Sequence, residues 1–365
     1  MGRAGVIALC IILSACGTGK SKIGVIDASD SLYDVPVRED GIAVEPVAQE
    51  PGRGPLILHG GGTLSESIRK LIVSYAGQSP RLCVIDSADE QRTEIYRLFD
   101  EFAGLQLTML DLEAGDVARP DVVAALRRCT GYFFGGGAPQ RLSEIMRPGG
   151  RDSLALAEIR RRFERDGALV SGSSAGAMIV GPLTLCECGA KSSVVAVTEG
   201  ELFKAPGFDL LGQNILIDAH FFKRGLLGRH MFALARDAIP VGVGIDEDAA
   251  LFVPGNGGQW RVLNGGRVAL VRLPRGATTD DLAGFGYSVL YPGDRFDPAS
   301  GAVQVWSKRK PAAIDLAADD RDDFSDDTGA IGYEFTATPQ TRRYVRDGAA
   351  KIETILDRQV SVAPL

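Results

Sequence analysis

From Pro55 to Val253 the chain alternates short apolar runs with amphipathic segments, a rhythm that few architectures accept. "LILHGGGT" (56–63) is followed by "LSESIRKLIVSYAG", and "RLCVIDSADE" (81–90) by "QRTEIYRLFDEFAG". Then come "LQLTMLDL" (105–112), a helical pattern over 119–128, "GYFFGGGAPQRL" (131–142) and a charged helix from Leu154 to Asp166. "GALVSGSSAGA" (167–177), "QNILIDAHFF" (213–222) and "IPVGVGIDEDAALFV" (239–253) complete the series. Strand-like runs bounded by turn residues and spaced by helical patterns imply an α/β fold, with a mostly parallel sheet covered on both faces. Ligands of such sheets sit beyond the carboxyl ends of the strands, and the glycine clusters fall there. After Arg275 the alternation fades. "FGYSVLYPGDRF" and "GAVQVWSK" read as C-terminal β-rich additions, 315–329 as a solvated acidic loop without EF-hand spacing, and 342–360 as helical in character.

A hydrophobic fraction of 45% and a charged fraction of 24% over 365 residues describe a chain able to bury a large core. A formal charge of −7 supplies no basic stripe, so nucleic acid is not an expected partner. At the N-terminus, Arg3 precedes an apolar segment, Ala4 to Leu13, too short to span a bilayer but suited to a signal-peptide core. It ends in Leu13-Ser14-Ala15-Cys16, which resembles the bacterial lipoprotein box, so Cys16 is expected to carry lipid. A plain signal peptide could also be cleaved there. The expected organisation is a lipoprotein signal peptide (1–15), a tether (16–54), a catalytic domain (55–275) and a C-terminal extension (276–365). The protein is then exported and lipid-anchored to a bacterial membrane, periplasmic or at the cell surface. Of the later cysteines, Cys83 and Cys129 read as buried thiols. Cys186 and Cys188 are too close to bond to each other readily, and neither pair has zinc spacing. No metal is expected.

Gly172-Ser173-Ser174-Ala175-Gly176 fits G-x-S-x-G centred on Ser174, between a strand pattern and an apolar helix pattern. A nucleophile on such an elbow presses strand and helix together, so the positions two before and two after must be very small. The elbow lifts the hydroxyl above the sheet and turns the Ala175 N–H and the helix start toward an anion. A bare anion-binding turn would also explain the glycines. A base should come from His59, His220 or His230, the three histidines of the chain. His59 ends a strand and lines the same crevice, and His230 lies in a helical segment with no carboxylate suggested beside it. His220, at the end of "NILIDAHFF", is the strongest of the three. Asp246, Glu247 and Asp248 stand at a later strand end, and spacing does not choose among them.

The ordered set "GGGTLSESIRK", "YFFGGGAPQRL", "VSGSSAGAMIVG", "DAHFFKRGLLGRH" and "GIDEDAALFV", over residues 55 to 255, resembles the cyanophycinase and aspartyl dipeptidase family of serine peptidases. The resemblance implies a three-layer sandwich of the class I glutamine-amidotransferase-like (flavodoxin-like) kind. It implies Ser174 as nucleophile, His220 as base and acid, Glu247 as the orienting carboxylate, and an oxyanion hole from the N–H groups of Ala175 and Gly136. Gln140 matches, with one residue of offset, a glutamine that helps hold substrate, and Asp218, Arg224 and Arg229 fall in the family's substrate-gripping segment. Ala219 and Leu226 depart from that segment, where the family carries glutamine and arginine. Arg224 and Arg229 then either clamp a substrate carboxylate or serve as structural ion-pair partners.

The expected activity is hydrolysis of aspartyl peptides through an acyl-enzyme, on a small peptide or a polymer of β-aspartyl-arginine units, without a cofactor. The chain order of serine, histidine, then acid opposes an α/β-hydrolase, whose acid precedes its histidine. Another serine acyl hydrolase and a non-catalytic binding lipoprotein are the rival readings. Nucleotide binding at the glycine runs lacks the P-loop lysine. A homodimer is an expectation carried by the resemblance alone.

Overall fold

The computed structural model describes residues 47–88, 95–186, 202–212, 214–224, 226–263, 266–279 and 286–304, with short strands at 23–27, 333–335, 342–344 and 361–362. Cys16, the acidic run 315–329 and most of 342–360 lie outside the described residues.

Strands β1 (Ile23–Asp27), β2 (Leu56–His59), β3 (Arg81–Ile85), β4 (Gln106–Leu110), β5 (Gly131–Phe134) and β6 (Leu169–Ser173) build most of the main sheet. Its core runs β4-β3-β5-β6-β2, all parallel, with β1 antiparallel at one edge. β2 and β5 are buried at every position, which is why they read as unbroken apolar runs. Alternation still sorts their side chains. Ile57, Val84, Phe133 and Leu169 pack on helix α1 (Glu66–Tyr75) through Ile68 and Ile72. Leu58, Ile85, Phe134 and Val170 face the opposite way, with α2 (Pro120–Arg128), α3 (Pro139–Met146) and α4 (Leu154–Arg165) contributing Leu126, Leu142 and Ile159. The α/β, mostly parallel expectation holds. The expected helix in "QRTEIYRLFDEFAG" is a single 3-10 turn, Ile95–Leu98, among the described residues.

A second sheet departs from the expected plan. β9 (Ile215–Ala219) and β10 (Val241–Ile245) pair in parallel, and β13 (Val268–Arg272) and β14 (Gly286–Leu290) add antiparallel. Between β6 and β9 lie a one-turn helix, α5 (Ala175–Met178), and a ribbon of β7 (Leu183–Cys186) with β8 (Phe203–Pro206). The single run read over 239–253 is two strands. After β10 the chain turns through Asp246–Ala249 and enters the main sheet as β11 (Ala250–Val253), antiparallel to β2. β12 (Trp260–Val262), β15 (Arg295–Phe296) and β16 (Val303–Gln304) extend that edge, so the C-terminal strands add to both sheets. Helix α6 (Leu227–Arg236) covers the outer face of the second sheet through Met231 and Leu234 against Leu216 and Val271.

Two features differ from the sequence reading in detail. Cys83 and Cys129 are joined as a disulfide with Cα atoms 5.8 Å apart, not left as separate thiols. β3 and β5 are neighbours, and Cys129 enters β5 from α2, so pairing follows from sheet order across 46 residues. Residues 47–54, inside the segment expected to be a tether, lie along the domain: the Gly52 N–H donates to the Arg165 carbonyl and the Gly54 N–H to Phe163.

Candidate active site

β6 ends at Ser173, and the next residue stands in a backbone conformation that few non-glycine residues adopt, with φ 53° and ψ −117° at Ser174. The flanking glycines make the bend feasible. A Cβ on Gly172 would lie 2.2 Å from the Gly176 carbonyl oxygen, and one on Gly176 would lie 2.1 Å from that of Phe134. Helix α5, the apolar helix expected after the elbow, lasts one turn because Pro182 and strand β7 follow closely. With four residues its dipole is small, so stabilisation of an anion would fall on individual N–H groups. Those of Ala175 and Gly136 meet no acceptor among the described residues. A Cβ on Gly136 would stand 3.9 Å from Ser174 Oγ, so its backbone flanks the hydroxyl.

β9 and β10 are parallel and in register, Ala219 opposite Ile245, so the residues beyond their ends are neighbours. Those residues are His220 and the acidic turn. His220 Nε2 lies 2.8 Å from Ser174 Oγ, and His220 Nδ1 lies 2.7 Å from Glu247 Oε1. The three adjacent acids point to different tasks. Asp246 Oδ1 accepts from the Phe222 and Lys223 N–H groups at 3.1 and 2.9 Å, which ties the acidic turn to the loop after His220. Burial raises the Asp246 carboxyl above its ordinary range. Asp248 Oδ1 accepts the Thr63 N–H at 2.6 Å, leaving Glu247 for the imidazole.

The segment His59–Thr63 holds all three parts. The His59 carbonyl accepts the Ser174 N–H at 2.9 Å, that of Gly60 accepts His220 at 2.8 Å, and that of Gly61 accepts Asp248 at 2.8 Å. The sequence reading missed this role for the first glycine run. Among the described residues five non-glycine residues have positive φ, and Ser174, His220 and Asp248 are three of them, so backbone strain gathers at this site. Gly61, at φ 101°, faces the imidazole edge, and a Cβ there would lie 2.1 Å from His220 Cε1. Gly61→Ala should therefore displace the ring and slow acylation of Ser174 by a fluorophosphonate about 100-fold. Thermal unfolding should show a folded protein with a melting temperature lowered by a few degrees; an unchanged acylation rate would mean that the ring does not depend on this contact.

In the expected substrate-gripping segment, the structure pairs Asp218 with Arg229, the ion-pair alternative left open for that arginine. Asp218 and Arg229 are buried and spent on each other, with Arg229 Nη2 donating to Asp218 Oδ1 at 2.6 Å and Nε to Oδ2 at 3.1 Å. Burial alone would raise the Asp218 carboxyl, but Arg229 and the adjacent His230 outweigh it and hold it at about 2. His230, read as having no carboxylate nearby, has Nδ1 3.5 Å from Asp218 Oδ2. Asp218 Oδ1 also accepts the N–H of Ala219, the residue before the base. Arg224 is half-buried, its N–H donating to the His220 carbonyl at 3.0 Å. Gln140 opens α3 just after the Gly135–Gly137 loop, and its Oε1 is buried without a hydrogen-bond partner among the described residues.

Residues 56–260 match the sequence model of Peptidase family S51. A cyanophycinase of Synechococcus elongatus is 30% identical over 193 residues, 52% of this chain and 57% of that protein. A cyanophycinase of Nostoc sp. is 29% identical over 212 residues, 56% of this chain and 68% of its own. The chain thus spans little more than half the length of the first of these relatives. The crystal structure of a peptidase from an acI-B1 Actinobacterium superposes with a TM-score of 0.52 at 19% identity, covering 68% of this chain and 98% of that one, and shares the fold.

Proposed function

The chain belongs to Peptidase family S51, and from that premise we propose that it is a serine-type peptidase cleaving an amide bond beside an aspartyl residue. The observation that carries the reading is the unbroken line Ser174–His220–Glu247, at 2.8 and 2.7 Å. In the proposed cycle His220 Nε2 takes the Ser174 proton as Oγ attacks the carbonyl carbon. Glu247 holds the Nδ1–H and stabilises the imidazolium. The Gly136 and Ala175 N–H groups would receive the oxyanion. His220 then protonates the leaving amine, and water, activated by the same ring, releases the acyl group.

The proposed substrate is a peptide with an aspartyl residue on the acyl side. Arg224 and Gln140 would hold its polar groups, since Asp218 and Arg229 are engaged with each other. The curated relatives named above are cyanophycinases, so the β-aspartyl-arginine polymer is one arm of the test. Export with a lipid on Cys16 is also proposed. The Leu13-Ser14-Ala15-Cys16 box and the Cys83–Cys129 disulfide support it, because such bonds persist in oxidising compartments.

A fluorophosphonate probe, followed by peptide mapping, should label Ser174 and no other residue. A panel of α-aspartyl and β-aspartyl dipeptides, the polymer and nitrophenyl esters then places the substrate. Failure of the probe to reach Ser174 would overturn the reading, and turnover of esters alone would replace it with an esterase.

A further inference from the structure

Beside the proposed nucleophile and base stands a second serine–histidine contact. β2 and β6 are paired with His59 opposite Ser173, and Ser173 Oγ lies 2.9 Å from His59 Nδ1. His59 is fully buried at the end of a strand whose other residues are Leu, Ile and Leu, and beyond its bond to Ser173 the ring has only a weaker contact with the Thr63 main chain. An aliphatic side chain would fill this place without the cost of burying a polar ring, so the imidazole calls for a reason beyond packing. One is at hand in its two bonds. The ring holds Ser173 while the carbonyl of the same residue holds the Ser174 N–H at 2.9 Å. A single residue thereby fixes the elbow on both sides of the Ser173–Ser174 peptide, and a strained φ of 53° persists only where its surroundings over-determine it.

We propose that His59 is a positioning residue for acyl transfer, acting through Ser173 to set the Ser174 hydroxyl and staying neutral while His220 takes the proton. The proposal rests on Ser174 and His220 being the nucleophile and base proposed above. The electrostatic half follows from the neighbours. Burial pushes the His59 ring down to about 4; His220 adds to the depression, and the Thr63 main chain and the carboxylates of Asp248 and Glu247 pull the other way. Between pH 5 and 8 the proton taken from Ser174 therefore resides on His220, with no second imidazolium beside it.

The test joins kinetics to spectroscopy. Fluorophosphonate labelling of Ser174 is followed from pH 5 to 9 in the unaltered protein, His59→Phe, His59→Asn, Ser173→Ala and the Phe/Ala double variant. His59→Phe keeps the ring shape without the nitrogen and should label about tenfold to 100-fold more slowly. His59→Asn, with an amide near the Nδ1 position, should recover most of the rate. Ser173→Ala should match His59→Phe, and the double variant should be no slower than either, as for residues acting through one another. In the 15N spectrum the His59 ring should stay neutral down to about pH 5. Labelling of His59→Phe at the unaltered rate, additive losses in the double variant, or a His59 ring titrating near 6.5 would each overturn the proposal. Should His59→Phe fail to fold, Ser173→Ala carries the test alone. No labelling in the unaltered protein would sink the peptidase reading instead, while the His59 titration still reports on the ring.

Discussion

Ser174→Ala and His220→Ala should each lower hydrolysis of the best aspartyl substrate by about a million-fold, and the double variant should lose no more than either one. The two residues form one device. Without the hydroxyl the ring has no proton to take, and without the ring the hydroxyl is a poor nucleophile. Glu247→Gln should lose less, about ten-thousand-fold, because the nucleophile and base survive and only the tautomer and the imidazolium's counter-charge are compromised. Exposure favours the smaller loss: the Glu247 side chain is 30% exposed against 12% for His220, so water screens part of its field. kcat/KM on a dipeptide, with circular dichroism to show that each variant is folded, checks the order. Loss at Glu247 equal to that at Ser174 would mean that the carboxylate does more than orient the ring.

The elbow was legible because its steric demand, set partly by the motif itself and partly by β5 beside it, falls on closely spaced residues. Gly172 and Gly176 are required by carbonyl oxygens within 2.2 Å of a missing Cβ, and a steric demand that tight leaves its mark in five consecutive residues. The parallel core was legible for a similar reason, since buried strands and amphipathic helices carry their periods along the chain. What was not legible depends on which elements become neighbours. "VGVGI" and "ALFV" both read as buried strand, and nothing local announces that they join different sheets. Asp218 and Arg229 meet because α6 packs on the sheet containing β9, a tertiary fact, so the residues left a substrate clamp and an ion pair equally open. The same holds for Cys83 with Cys129 and for the choice among Asp246, Glu247 and Asp248. Three adjacent carboxylates on one turn diverge toward the Phe222–Lys223 backbone, the His220 ring and the Thr63 N–H, and only packed segments define those targets. His59 shows the intermediate case. Its strand-end position was visible, but its bond to Ser173 depends on the β2–β6 register.

Gly172→Ala and Gly176→Ala should fail at folding, where the triad variants fail at chemistry. The methyl of Gly172→Ala would enter the Gly176 carbonyl at 2.2 Å, and that of Gly176→Ala the Phe134 carbonyl at 2.1 Å. Both obstacles are main chain at the junction of β5, β6 and α5, which cannot rotate away as the end of a long side chain can. Relief requires the helix to lift from the sheet, opening the core around Phe134, Ala177 and Ile179. We expect losses of more than about 4 kcal/mol, a large part of the stability of an ordinary domain. Gly149→Ala supplies the control. Gly149 also has a left-handed backbone, φ 64°, but a Cβ there meets nothing within 4 Å, so only the conformational term of about 1 kcal/mol should appear. Urea denaturation of the three variants separates crowding from backbone strain. If Gly172→Ala unfolds at the same urea concentration as Gly149→Ala, strand and helix are not pressed together at Ser174, and the geometric basis for an exposed nucleophile fails with them.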